Sequence, residues 1–154
     1  MNVKIAFWDS SALVPLCAPW QGDDSRLWGL LVEFPAIVWW ASPVEVRSAI
    51  ARQLRLGEIA AAQEQAALRR LTLLRQDWTE ILPNPGLREL AEDRLSRHEL
   101  RAAAALQLAA ALTWCRERPA GRPFLCRDRR LIAAARAEGF LVLEPSQPKV
   151  IKVG

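Results

Sequence analysis

The stretch Val3-Lys4-Ile5-Ala6-Phe7-Trp8-Asp9-Ser10-Ser11 decides the fold class. Residues 3–8 form a short and mostly apolar run, which is typical of a strand buried on both faces of a sheet. Asp9 follows directly, and Ser10 and Ser11 are residue types that cap the start of a helix. The stretch therefore predicts a buried strand whose carboxyl end turns into a helix over residues 11–17.

The same pattern recurs along the rest of the chain. Further short apolar runs are found at residues 36–40, 78–82, 123–126 and 140–143. Helical segments alternate with them, predicted over residues 24–34, 42–56, 58–76, 87–96, 99–117 and 129–138. No hairpin dipeptide links the strands, so the alternation predicts an α/β fold with a central parallel sheet of about four to five short strands.

Length and composition indicate one globular domain. The 154 residues, 51% of them hydrophobic and 25% charged, suit a packed domain and not a disordered chain. We predict a single domain over residues 1–154, with a core at 3–145 and an extended basic tail at 146–154. The chain shows no signal peptide and no apolar run of membrane-spanning length, so we expect a cytoplasmic protein with no membrane association.

Several chemistries are excluded by the residues that are scarce. Three cysteines without a C-x-x-C spacing argue against a disulfide framework and a structural zinc site. His98 is the single histidine, which excludes zinc hydrolases that need two. The net charge of +4 comes from arginine-rich basic residues, which either bind nucleic-acid phosphates or reflect a compositional bias.

Three carboxylates fall where this fold would place a ligand. Asp9 and Asp128 follow predicted strands, and Glu45 lies at the start of the helix after the second strand. In open parallel sheets, ligands bind beyond the carboxyl ends of the strands. Crowded carboxylates repel one another unless a cation is present, and an oxygen-only donor set suits Mg²⁺ or Mn²⁺. Such a centre could activate water and hold a phosphate for in-line displacement.

Each carboxylate also has a structural explanation. Asp9 could cap the helix that follows it, although Ser10 and Ser11 are available for that task. Ser42-Pro43-Val44-Glu45 reads as a capping box, and Asp128 could cap the helix at 129–138. Their joint placement at one edge of the sheet, more than any one residue, favours a site.

Four stretches resemble the motifs of the PIN-domain family, in order and over residues 3–145. They are Phe7-Trp8-Asp9-Ser10-Ser11-Ala12-Leu13, Ser42-Pro43-Val44-Glu45-Val46-Arg47-Ser48-Ala49, Leu100-Arg101-Ala102-Ala103-Ala104-Ala105-Leu106-Gln107-Leu108-Ala109 and Phe124-Leu125-Cys126-Arg127-Asp128-Arg129-Arg130-Leu131. The size and a helical hairpin are similar to the VapC-type toxins of bacterial toxin–antitoxin pairs. The resemblance implies a three-layer PIN-like fold and a Mg²⁺- or Mn²⁺-dependent endoribonuclease. Its implied partners are an RNA substrate, a small antitoxin and a second copy in a homodimer.

Carried over by position, Asp9 and Asp128 would hold the metal, and Glu45 would hold it or orient a metal-bound water. The chain departs from the family at its third acidic position, where Ala104 has no ligand atom. Ala104 is either an engineered inactivation or a natural weakening, so this chain is expected to be inactive or weakened. The alternative is a non-catalytic PIN-like module that binds RNA or protein.

Other residues carry secondary predictions. Arg101, Arg127 and Arg129 lie near the predicted site and could contact phosphates, or could simply form solvated helix faces. Trp39 and Trp40 at a strand end are predicted to be core residues. Trp20 and Trp28 could contribute to a partner surface, and Cys126 is predicted to be an inert core thiol. His98 is predicted to open the alanine-rich helix as a surface or capping residue.

Overall fold

A computed structural model describes residues 4–18, 20 and 25–145, so the predicted tail at 146–154 lies outside the described residues. The strands are β1 (Ala6–Trp8), β2 (Ala36–Trp39), β3 (Thr79–Ile81), β4 (Pro123–Leu125) and β5 (Leu141–Leu143). The helices are α1 (Ser10–Cys17), α2 (Ser25–Glu33), α3 (Ser42–Arg55), α4 (Ala61–Asp77), α5 (Pro85–Arg97), α6 (Ala102–Trp114) and α7 (Arg129–Glu138).

All strand pairs in the sheet are parallel, in the order β3-β2-β1-β4-β5. The strand from which the sequence argument started, β1, is central and completely buried. Phe7 pairs with Ile37 of β2 on one side and with Phe124 of β4 on the other. The predicted α/β class with a parallel sheet of four to five strands is confirmed.

Side chains that alternate along β1 build two separate cores. Phe7 points to the face covered by α5, α6 and α7, where its ring stacks on Phe124 with centroids 5.3 Å apart. Trp8 points to the opposite face, covered by α1, α2, α3 and α4. Because helices cover both faces, the apolar strands are shielded from water on both sides, which gives the predicted three layers.

The alanine-rich helix is shorter than predicted. α6 begins at Ala102 and ends at Trp114, and His98 is the C-cap of α5 and does not open α6. His98 Nε2 lies 3.1 Å from Glu138 Oε1, and Glu138 also bonds the buried guanidinium of Arg94. His98 is therefore a capping residue, as predicted, but it ends α5, so the prediction that it opens the alanine-rich helix is wrong.

The two tryptophans that follow one another at the end of β2 have different environments. Trp39 is 4% exposed, whereas Trp40 is 51% exposed, so the prediction that both are core residues is wrong for Trp40. β2 ends at Trp39, so Trp40 lies outside the strand, in the turn that leads to α3. In the described part of the chain, none of the helices has the length and apolarity needed to cross a bilayer.

Candidate functional site

Asp9 ends β1 and is itself the N-cap of α1. Its Oδ2 accepts hydrogen bonds from the Ser11 amide at 3.1 Å and from the Ser11 hydroxyl at 2.5 Å. The prediction that Ser10 or Ser11 caps this helix is wrong, because Asp9 has the extended backbone of a cap residue and its carboxylate reaches the amide two residues ahead. Among the described residues, every hydrogen bond to this carboxylate goes to Oδ2. Oδ1 is therefore left for another partner.

The Asp9 carboxylate is held in an unfavourable environment for a negative charge. The side chain is only 3% exposed, and burial raises the pKa of Asp9 above its ordinary value. The hydrogen bonds from Ser11 oppose that rise, and the nearby charge of Asp128 adds to it. A bound cation would relieve both the burial cost and the repulsion.

Glu45 does not take part in a capping box. Ala41 is the N-cap of α3 and makes no side-chain capping bond, so Ser42 already lies within the helix. The Glu45 carboxylate turns away from the backbone, where Ser10 Oγ donates to Oε1 at 3.1 Å and Gln107 Nε2 donates to Oε2 at 2.9 Å. The capping explanation for Glu45 is therefore wrong, and its side chain is directed to the end of β1.

Glu45 and Asp9 influence each other electrostatically. Burial and then the charge of Asp9 raise the pKa of Glu45 to about 7, while the hydrogen bonds from Gln107 and Ser10 lower it. Two carboxylates that affect one another in this way are close together in a poorly solvated place. The structure thus brings together two of the three predicted acids.

Asp128 lies at the rim of the same edge. It is exposed, and its Oδ1 caps α7 by accepting a hydrogen bond from the Leu131 amide at 2.9 Å. The capping explanation for Asp128 is therefore confirmed. No hydrogen bond within the described residues goes to its Oδ2, and its charge is near enough to raise the pKa of Asp9.

Ser11 joins the two loops that carry Asp9 and Asp128. Its hydroxyl donates to Asp9 Oδ2 and accepts from the Arg127 amide at 2.9 Å. Cys126 is buried beside it, and its thiol donates to Asp9 Oδ2 at 3.6 Å. Burial and the negative charge of Asp9 raise the pKa of the Cys126 thiol, so the predicted buried, unreactive thiol agrees with the structure.

Helix α6 contributes a residue that the sequence argument did not single out. Gln107 is 0% exposed and lies three residues after the half-buried Ala104, on the same side of the helix. Its Nε2 donates to Glu45 Oε2 and, at 3.1 Å, to Ser42 Oγ. The available signal was a lone amide in the otherwise apolar run from Ala102 to Leu112.

The candidate ligands Asp9, Glu45 and Asp128 offer carboxylate oxygens and no histidine nitrogen. Ligands of this chemical type suit a hard divalent cation. Asp9 Oδ1 and Asp128 Oδ2 accept no hydrogen bond among the described residues. Within residues 4–18, 20 and 25–145, however, no three acidic, histidine or cysteine side chains gather closely enough to enclose a metal ion. Magnesium is often held by one or two carboxylates with waters and phosphates, so the Asp9–Glu45 pair fits a weak centre of that type.

The predicted arginines separate into two groups. Arg127 and Arg129 line a cleft of about 500 Å³ together with Cys126 and Arg136, and none of the three predicted acids is among its lining residues. Arg101 is exposed at the start of α6 and is not among the residues that line this cleft. A phosphate in this cleft would meet guanidinium groups on the β4–α7 side of the site.

The chain has a PIN-like fold, which comparison with solved structures shows. A toxin–antitoxin complex from Klebsiella pneumoniae matches with a TM-score of 0.62 and 17% identity, over 92% of this chain and 98% of that one. PAE2754 from Pyrobaculum aerophilum matches with a TM-score of 0.60 and 19% identity, over 94% of this chain and 92% of that one. FitAcB from Neisseria gonorrhoeae matches with a TM-score of 0.59 and 12% identity, over 90% and 96%. No protein-family model and no curated protein sequence matches the chain.

Proposed function

We propose that this chain is the toxin of a toxin–antitoxin pair, with a divalent-cation-dependent endoribonuclease site that Ala104 weakens. The observation that carries the proposal is the junction of three chain segments at one edge of the sheet. Ser10 ties the end of β1 to Glu45, and Ser11 ties it to the loop that carries Asp128. This is where ligands bind in open parallel sheets.

We infer the roles of the side chains from their carboxylate oxygens and charges. Asp9, through Oδ1, and Glu45 would hold Mg²⁺ or Mn²⁺, and Asp128 would add a carboxylate from the rim. When bound, such an ion supplies a Lewis acid for the phosphate and lowers the pKa of a coordinated water. Arg127 and Arg129, which line the cleft on the β4–α7 side, would bind the phosphates of an RNA chain.

Ala104 removes a carboxylate from this arrangement. Deleting one preorganised electrostatic group from an active site commonly costs about 10²–10³ in rate. We therefore expect weak cation binding and little or no cleavage by the chain as it stands.

The test compares the chain with its Ala104→Asp variant on a mixed RNA substrate, with Mn²⁺ and with a chelator. We expect the variant to cleave at least about 10²-fold faster than the parent and to lose that activity in chelator. The matched control is Asp9→Asn in the Ala104→Asp background, which should be inert. If the Ala104→Asp variant is folded and does not cleave, the nuclease proposal fails.

A second candidate is a non-catalytic module that binds RNA or protein. The observation in its favour is the absence, among the described residues, of a group of three side chains that could enclose a metal. It predicts that RNA binding by the parent is independent of Mn²⁺ and that Ala104→Asp gains no cleavage. The experiment above therefore separates the two candidates.

An antitoxin partner is supported by an apolar cleft between α2 and α4. Trp28, Val32 and Leu73 line this space of about 460 Å³, and Val32 and Leu73 are 82% and 60% exposed. The matching structure from Klebsiella pneumoniae is a toxin–antitoxin complex, and another match is FitAB bound to a DNA fragment. Trp20 lies apart from this cleft and donates to Gln53.

A homodimer, which the family resemblance implies, remains a prediction for light scattering to test.

A further inference from the structure

Gln107 is the one amide among the fully buried large side chains of the described residues. Its two Nε2 protons have acceptors in α3, which are Ser42 Oγ at 3.1 Å and Glu45 Oε2 at 2.9 Å. A hydrogen bond donated to a carboxylate is stronger than one between neutral groups. The donor end of Gln107 is therefore fixed toward Glu45.

The other end of the same amide has no partner. Gln107 Oε1 is the only buried side-chain nitrogen or oxygen in the described part of the chain that lacks a hydrogen bond. Leaving a buried carbonyl unpaired is unfavourable, and an apolar residue at this position of α6 would avoid the loss. The amide is accounted for by its bonds to Ser42 and Glu45, and the bond to the Glu45 carboxylate is the charge-assisted one of the two.

We propose that Gln107 is a positioning residue that holds the Glu45 carboxylate in place for the cation. Ser10 donates to the other oxygen, Oε1, so both oxygens of Glu45 are fixed from opposite sides. Through Gln107, α6 still contributes to the site although position 104 has no carboxylate. This inference rests on the proposed function, because it requires a cation that Glu45 helps to bind.

The experiment compares the parent with Gln107→Met, which keeps the length of the side chain and removes its hydrogen-bond donor. Titration calorimetry measures the Mn²⁺ affinity of each protein, and the melting temperature is measured separately. Substituting a residue that orients a metal ligand typically lowers metal affinity 10–100-fold. We therefore expect Gln107→Met to bind Mn²⁺ at least about 10-fold more weakly than the parent. Gln107→Met leaves Ser42 Oγ and Glu45 Oε2 without this donor but also removes the unpaired carbonyl, so we expect only a modest fall in melting temperature. Gln107→Leu gives a second test if the methionine variant does not fold.

The matched control is Gln53→Met, a buried glutamine of α3 that bonds Trp20 and not an acid. It should bind Mn²⁺ like the parent. In a Glu45→Gln background, Gln107→Met should cause little further loss of affinity, because the amide acts through Glu45. Equal Mn²⁺ affinity of the parent and Gln107→Met would overturn the positioning role and leave the proposed site intact. A parent that binds no Mn²⁺ would overturn both.

Discussion

Glu45→Gln should make the metal-free protein more stable, and only above acidic pH. The pKa of Glu45 is raised from its ordinary 4.5 to about 7 by burial and by the charge of Asp9. In the unfolded chain the side chain ionises near 4.5. Between these two values the folded protein binds more protons than the unfolded chain, so stability falls as the pH rises.

The magnitude follows from the difference between the two pKa values. A rise from 4.5 to about 7 corresponds to roughly 3.4 kcal/mol at 1.36 kcal/mol for each pKa unit. Glu45 is only half-buried, so solvent screens part of this interaction and about 2 kcal/mol is the expected loss. The loss begins near pH 4.5 and is complete above about pH 7. Glutamine has the same size and does not titrate, so it should not show this part of the pH dependence.

The assay is urea unfolding in chelator at about pH 4 and about pH 8.5, for the parent and Glu45→Gln. The free energy difference between the two proteins at the lower pH measures the local effect of the exchange. We expect that difference to shift by about 2 kcal/mol in favour of Glu45→Gln at the higher pH. Parallel pH profiles for the two proteins would refute the argument, because they would mean that Glu45 is neither desolvated nor repelled by Asp9.

Other expectations concern the rim of the site and the apolar cleft. Asp128→Ala should destabilise the protein by about 1 kcal/mol through loss of the α7 cap. Asp128→Asn should keep the stability of the parent, because asparagine also caps helices, and should bind Mn²⁺ more weakly. If Asp128→Asn binds Mn²⁺ as tightly as the parent, the role of Asp128 is limited to capping. Val32→Asp in the cleft should reduce co-purification of the proposed antitoxin, whereas Leu95→Asp, at an exposed position of α5 on the other face of the sheet, should not. Equal recovery with both variants would move the partner surface elsewhere.

The fold could be predicted from the sequence because its signals are local. Short apolar runs such as residues 36–40, each followed by a helix, leave few arrangements other than a parallel sheet covered on both faces. Helix ends were predicted less well. α6 begins at Ala102, and His98 instead ends α5 in contact with Glu138, a residue 40 positions away that no local pattern reveals.

The site was predicted in part, for the same reason. Asp9 and Glu45 could be found from their places at strand and helix ends, but the capping box at Ser42 looked sufficient to explain Glu45. The true partners of Glu45 are Ser10 and Gln107, which are 35 and 62 positions away. Such contacts exist only once β1, α3 and α6 have packed together, so the sequence alone does not reveal them.

The location of a bound cation tests the central claim most directly. Crystals of the Ala104→Asp variant soaked in Mn²⁺ would be measured at the manganese absorption edge, with crystals of the parent treated alike. We predict an anomalous peak between Asp9 and Glu45 in the variant, and a weaker peak at the same place in the parent. Ordered crystals of the variant without a peak at these carboxylates would contradict the account, because the edge of the sheet would then not be a cation site.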